Sequence, residues 1–265
     1  MTAIILAAGV GKRLHGASGG KPKCLIEIGG RSLLLRLVDA LAAAGVRRIV
    51  VVTGFGAADV RAALGVGDAE AASGAGAGNL RRALPLDLDI RCLDNPRYRE
   101  GAILSLWTAR AHLDGPVLVM DADVLCAPSL LRRLVDSAHD NCFLMDGSVE
   151  VTGEEQMLLV RDGRVRNIVR GGAPGYELAG ESIGFLKLDA PAARLLRELL
   201  GRRIDAGHTG IEHEEVYPDL LARVDVGFER VDDEPWIEID FVEDVERAAR
   251  EILPRIVEAG SGGAS

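Results

Sequence analysis

The feature that most limits the fold is a series of short, almost continuously apolar runs spaced by helix-length amphipathic segments. "AIILAA" begins at residue 3, "RRIVVVTG" at 47, "PVLVMDADVL" at 116 and "CFLMDG" at 142. Strands that lack a polar face are buried on both sides, which is the condition of a parallel sheet covered by helices. Between them, "SLLLRLVDALAAAG", "AADVRAALG", "ILSLWTARAHL" and "SLLRRLVDSAH" carry helical spacing, and "DIRCLDN" adds a further strand. The expected fold is therefore α/β, with a parallel sheet covered by helices on both faces.

After residue 150 the rhythm changes. "QMLLVRDGRVRNIVR" predicts a hairpin turning at Asp162-Gly163. "ESIGFLKL" and "VGFERVDD" predict strands, "APAARLLRELLG" a helix with Pro191 near its start, "EHEEVYPDLLARV" partial helix, and "VEDVERAAREIL" a closing helix. No repeat or linker divides the chain. The expectation is one α/β domain over 1–255 with a mixed second half, then a flexible tail at 256–265. The Gly/Ala/Ser-rich stretch at 65–79 predicts a mobile loop.

Composition narrows the function. A net charge of -9 disfavours nucleic acid as a partner, because a phosphate backbone demands a positive field. No apolar run approaches the roughly 20 residues of a membrane helix, and the N-terminus lacks a signal-peptide pattern, so the expected location is the cytoplasm with no membrane partner. Cys24, Cys92, Cys126 and Cys142 are widely spaced and predict buried free thiols, with no zinc site or disulfide framework. A homodimer is compatible with the sequence, which does not set the oligomeric state.

Chemistry gathers in "AIILAAGVGKRLHGASGGKPKCL" (residues 3–25), a strand followed by small residues and then Lys12, Arg13, Lys21 and Lys23. A dinucleotide turn needs G-x-G-x-x-G, and Leu14 stands at its third glycine; a Walker A loop needs a hydroxyl where Pro22 stands. The remaining pattern, L-A-A-G-x-G-x-R-L followed by P-K-x-L, is present as Leu6 to Leu14 and Pro22 to Leu25. It resembles the nucleotidyltransferase superfamily, and in particular the bacterial choline-phosphate, phosphonate and inositol-phosphate cytidylyltransferases, with Lys12 in the place where that family usually has Thr.

The resemblance covers roughly residues 2–252 and implies a Rossmann-like nucleotidyltransferase fold, a mixed, mostly parallel sheet with helices on both faces and an acceptor-binding extension. The nucleotide-binding half is then expected over about 1–125 and the metal and acceptor half over about 126–255. It implies nucleotide contacts from Leu6, Ala7, Ala8, Gly9, Gly11 and Lys12, where small residues let backbone approach a base and phosphates. It implies catalytic roles for Arg13, clamping the leaving pyrophosphate, and Lys23, neutralising the α-phosphate. It implies Mg²⁺ held by Asp123, at the end of "VLVMDADVL", and by Asp240 in "WIEID", with Asp121 assisting on the face that strand alternation would give it in common with Asp123. Glu238 shares the parity of Asp240.

"NPRYREGAILSLW" occupies the place where the superfamily contacts the base, making Asn95, Gly101 and Ser105 candidates; Ala102-Ile103 stands where the choline branch often carries paired Asn. Trp107, Glu181, Glu212, Glu214, Tyr217, Trp236 and Glu238 are the candidates for acceptor binding, an acidic and aromatic set suited to a cationic head. His208 and His213 receive no role. The implied activity is Mg²⁺-dependent transfer of CMP from CTP to a phosphorylated or phosphonylated small molecule. The alternatives are a sugar-1-phosphate nucleotidyltransferase using UTP or dTTP, and a catalytically silent nucleotide-binding protein.

Overall fold

The computed structural model describes residues 1–14, 19–66, 84–85, 87–149 and 151–261, the side chains of Lys12 and Ser261 excepted. The stretch 67–79 of the expected mobile loop and the tail beyond 261 lie outside the described residues. The last helix runs Leu253–Ser261, so the tail expected from 256 is helical to 261.

Four parallel strands form the centre: β1 (Thr2–Ala7), β4 (Arg48–Thr53), β5 (Asp89–Asp94) and β6 (Val117–Asp121), in the spatial order β5-β4-β1-β6. The short strands β2 (Glu27–Ile28) and β3 (Arg31–Ser32) form a separate two-stranded ribbon. The chain moves outward from β1 through β4 to β5, then returns to the other side of β1 as β6. That reversal opens a crevice at the carboxyl ends of β1 and β6, where open α/β sheets bind ligands. Leu6 pairs in register with Asp121, so the loop after β1 and the acidic turn after β6 lie side by side.

The predicted strand over 116–125 is broken into β6 and β7 (Val124–Cys126). β6 ends at Asp121, and Asp123 falls in the turn. β8 (Cys142–Asp146), β9 (Gln156–Arg161), β10 (Arg164–Arg170), β11 (Leu178–Leu188) and β12 (Gly227–Arg230) extend the sheet to nine strands. β11 is antiparallel to β6 and makes the sheet mixed. The β9–β10 hairpin turns as expected, with Asp162 at φ 52° and Gly163 at φ 66°, the left-handed pair of a tight turn. β13 (Trp236–Glu238) pairs with β7 instead of the main sheet, bringing the C-terminal segment against the acidic turn.

Alternation along the central strands supplies a core on each sheet face. Ala3, Ile5, Ile49, Val51, Leu118 and Met120 pack beneath α1 (Leu33–Ala43) and the helix Pro128–Asp136. Ile4, Val50, Val52, Val117 and Val119 face the helices Ala102–Thr108 and Ala190–Asp205. Ser32 caps α1, its hydroxyl accepting from the Leu35 amide. All four cysteines are free; Cys24, Cys126 and Cys142 are buried and Cys92 is half-buried, and burial pushes the Cys24 and Cys126 thiols up to about 12.

Phe185 of β11 is fully buried in the core that carries the acidic turn. Replacing it with Ala should cost about 3–5 kcal/mol, read as a lowered urea midpoint at an unchanged slope.

Candidate active site

A cavity of about 1030 Å³ opens at the crevice between β1 and β6. Pockets of roughly 300–1,000 Å³ hold drug-sized ligands, so this one has room for a nucleotide with a second small molecule beside it. Its end near the β1 loop is formed by Leu6, Ala8, Gly9, Arg13 and Lys23. Gly11 faces an adjoining cleft with Arg13, Lys23, Phe55 and Tyr98. Ala7 points instead into the core beneath α1. The side chain of Lys12 lies outside the described ones.

Lys23 joins the three parts of the site. It sits in a short 3₁₀ turn, Lys23–Leu25, and its Nζ lies 2.5 Å from Asp240 Oδ1 and 2.7 Å from Asp123 Oδ2. Burial pulls the ammonium pKa down, but the charges of Asp123 and Asp240 outweigh that and hold it above the ordinary lysine value. Arg13 is 3.9 Å from Asp240 and stacks 5.1 Å over the Phe241 ring, largely exposed and free to reach a ligand.

Asp123, Glu238 and Asp240 each place a carboxylate oxygen within 4.8 Å of the others and could hold a metal ion. Asp123 Oδ1 is buried and has no hydrogen-bond partner among the described residues, a costly state unless a cation takes up its charge. Asp121 does not join this group. Alternation would give Asp121 and Asp123 a shared face only if the strand ran on to Asp123, and it stops at Asp121. The Asp121 carboxylate goes instead to His213 and Glu214. Room for it comes from Gly184, at φ 77°, where a Cβ would lie 2.5 Å from Asp121 Oδ2.

Of the base-contact candidates, Ser105 and Gly101 line the cavity. Asn95 is buried behind it, donating to Ser105 Oγ at 3.1 Å and accepting from the Arg97 amide at 2.9 Å. Gly101 also has a packing reason: a Cβ there would collide with the Thr209 carbonyl oxygen. This close approach brings the segment carrying Glu212, His213 and Glu214 over the cavity.

The acceptor candidates divide. Glu181, Glu212, Glu214, Trp236 and Glu238 line the cavity, and Trp236 Nε1 donates to Asp146 Oδ2 at 2.8 Å. Trp107 lies elsewhere, in a shallow groove beside Arg110 and Gly201, because its helix turns that side chain toward the helix Ala190–Asp205. Tyr217 is buried behind the cavity, its ring edge-on to His213 with centroids 5.6 Å apart. Sequence reasoning missed His213, Asp146, Arg170 and Arg247, all of which line the cavity. Asp146 was within reach: it ends the apolar strand "CFLMD" as Asp121 ends "VLVMD".

Among the described residues the cavity wall carries twelve carboxylates against five Lys and Arg side chains. Burial, and then repulsion from Glu155 and Asp146, push the Glu181 pKa up to about 7. His213 is buried, which lowers its pKa, yet Glu214, Asp121 and Glu212 overcome this and raise it to about 9. Burial first, and then Glu214 and Asp123, hold the Asp121 carboxyl well above its ordinary range despite the opposing charge of His213.

A glycine-rich turn after β1, a lysine bridging two strand-end carboxylates and a crevice at a sheet reversal define a nucleotide-handling α/β enzyme. The chain belongs to the MobA-like NTP transferase domain family, whose model matches residues 3–164. It is 26% identical over 243 residues to the 2-aminoethylphosphonate cytidylyltransferase of Lancefieldella rimae, covering 91% of this chain and 88% of that one. It spans only 25% and 46% of the length of two bifunctional curated relatives that it also matches. Among solved structures, CTP:phosphocholine cytidylyltransferase from Streptococcus pneumoniae superposes with a TM-score of 0.74 at 22% identity, covering 95% of this chain and 98% of that one. UDP-glucose pyrophosphorylase, solved with UDP-glucose, does so with a TM-score of 0.75 at 15% identity over 96% and 98%. The fold is thus shared by enzymes named for cytidylyl transfer and for sugar nucleotides.

The raised Glu181 pKa has a measurable sign. Between 4.5, the ordinary glutamate value, and about 7, the folded chain keeps a proton that the unfolded chain releases, so stability falls as pH rises through that window. Glu181→Gln should flatten the fall in melting temperature across this range relative to wild type.

Proposed function

We propose that this enzyme catalyses Mg²⁺-dependent transfer of CMP from CTP to a small phosphorylated or phosphonylated acceptor, releasing pyrophosphate. The observation that carries the reading is the division of one cavity into two chemistries. Arg13 and Lys23 stand at the end near the β1 loop, and a surplus of carboxylates with Trp236 stands at the other. Such a far end suits an acceptor with a cationic head, of the phosphocholine or aminoethylphosphonate type, better than a neutral sugar or inositol. The similarity to an aminoethylphosphonate cytidylyltransferase over most of both chains supports this choice. The choice of CTP rests on that relative and on the motif "NPRYREGAILSLW".

The acceptor's anionic oxygen attacks the α-phosphorus of CTP, and the bond from that phosphorus to the bridging oxygen of pyrophosphate breaks. The nucleophile is already ionised, so the chain needs no residue to remove a proton. Positioning and electrostatics supply the rate. Asp123 and Asp240, with Glu238 beside them, would hold the divalent cation, which neutralises phosphate charge when bound. Lys23 moves from its carboxylates to the α-phosphate, and Arg13, exposed beside Phe241, closes on the departing pyrophosphate. Ser105 and the backbone of Leu6 to Gly9 contact the nucleoside. Trp236, fixed by its hydrogen bond to Asp146, forms one wall of the acceptor end, with Glu181 opposite charge for the cationic head.

No helix among the described residues is long and apolar enough to cross a membrane. A sugar-1-phosphate reading would require UTP or dTTP and an acceptor end that uses few of these carboxylates.

The deciding experiment measures pyrophosphate release with CTP, UTP, dTTP, ATP and GTP, each offered phosphocholine, 2-aminoethylphosphonate, inositol 1-phosphate and glucose 1-phosphate. CTP with one of the two cationic acceptors is expected to give the highest kcat/KM. Preference for UTP or dTTP with glucose 1-phosphate would overturn the proposal. Lys23→Met should lower kcat by about a hundredfold or more, while Trp236→Ala should act mainly on KM for the acceptor, both read in steady-state assays.

A further inference from the structure

The cleft beside the main cavity has the opposite charge balance. It encloses about 630 Å³, and among the described residues Arg13, Lys23 and Arg99 face a single carboxylate there, Asp240. The same four residues also line the main cavity, so the two spaces are continuous. Glu181 and Trp236, at the acceptor end, line only the main cavity. Lys23 thus stands at a boundary, with a carboxylate-rich space on one side and a cationic one on the other.

Three strand-end loops build this cleft. The loop after β1 brings Gly11 and Arg13, the turn after β4 brings Phe55, and the loop after β5 brings Tyr98 and Arg99. Small residues let the loops close on one another. A Cβ on Gly54 would lie 2.6 Å from Tyr98 Cβ, and one on Gly56 would collide with the Pro22 ring. The Phe55 amide donates to the Ala8 carbonyl at 3.1 Å and ties the second loop to the first.

Arg99 is the cation of this cleft whose charge is uncommitted. Lys23 is held by Asp123 and Asp240, and Arg13 lies 3.9 Å from Asp240. Glu100, next to Arg99 in the chain, is taken by Arg97 through two parallel bonds of 2.8 and 2.6 Å. Arg99 Nε donates to Tyr98 Oη at 3.1 Å, and its guanidinium carbon lies 5.5 Å from the centre of the Tyr98 ring. Among the described residues Arg99 makes no ion pair, and its two terminal nitrogens have no hydrogen-bond partner. A guanidinium held in this way keeps its fork of N–H groups for a pair of phosphate oxygens.

We propose that this cleft takes the pyrophosphate end of the nucleotide and that Arg99 binds its β- and γ-phosphates alongside Arg13. The proposal rests on nucleotidyl transfer at this site, but not on the choice of CTP or of acceptor. In-line displacement sets the entering and leaving oxygens on opposite sides of the α-phosphorus. With the acceptor at the carboxylate-rich end and the α-phosphate at Lys23, the leaving side is this cleft. As the bond from the α-phosphorus to the bridging oxygen breaks, its electron pair stays with pyrophosphate, and Arg99 meets that growing charge.

The test titrates the full chain in Mg²⁺ buffer with inorganic pyrophosphate, CTP and CMP, following heat of binding. Arg99→Gln should weaken pyrophosphate and CTP by about tenfold or more and leave CMP unchanged, since CMP has no β- or γ-phosphate. Arg99→Lys, which keeps the charge without the fork, should fall between. In steady-state assays Arg99→Gln should raise KM for the triphosphate and leave KM for the acceptor unchanged. The side chain is exposed, so circular dichroism of both variants should match wild type. Equal loss for CMP and CTP would put Arg99 on the nucleoside and overturn the proposal. Unchanged pyrophosphate binding in Arg99→Gln, or none by wild type, would overturn it as well. If the enzyme prefers another triphosphate, that triphosphate and its monophosphate replace CTP and CMP, so an error over base or acceptor does not decide this result.

Discussion

The site depends on one ammonium group. Lys23 Nζ holds Asp123 and Asp240 together across a sequence separation of 217 residues between lysine and the second carboxylate. Two carboxylates this close would repel each other across a cleft that is only partly wet. The lysine cancels that repulsion and fixes the β1 loop, the turn after β6 and the segment after β13 in one place. Such a buried pairing contributes less to stability than its short distances suggest, because the charges give up water to form it. What it supplies is registration of three distant segments. The same carboxylates are the ones assigned to a cation in the proposed reaction, so lysine and cation compete for one location until nucleotide phosphates draw the lysine away.

Much of this was legible in the sequence where local pattern and global fold agree. The loop from Leu6 to Leu14 is marked by an apolar strand that runs directly into small and basic residues, and Asp123 by its place just beyond a buried strand. The Asp162-Gly163 turn is fixed by residues that tolerate left-handed backbone. Glu181 and Trp236 reached the cavity as expected.

The failures share a cause: the deciding contact is nonlocal. The break between β6 and β7 comes from pairing of β7 with β13, more than a hundred residues away, and it parts Asp121 from Asp123. Trp107 was grouped with the acceptor by its motif neighbours, whereas helix rotation sends it to Gly201. His213 looked idle because the transfer chemistry requires no base. Its place over the cavity follows from a collision avoided at Gly101, which no spacing rule reveals. Asn95 sits within the correct stretch but one layer behind the surface, holding Ser105.

The short ribbon of β7 and β13 has a consequence for the order in which the enzyme comes into being. Its partners are Val124 to Cys126 and Trp236 to Glu238, so the second strand emerges from the ribosome long after the first. A nascent chain can lay down the parallel sheet and its glycine turn while Asp123 still lacks Asp240 and Glu238. The segment that completes the acidic triad arrives more than a hundred residues after Asp123. On the proposed reaction, a half-made molecule would have the β1 loop but only one of the three carboxylates assigned to the cation site.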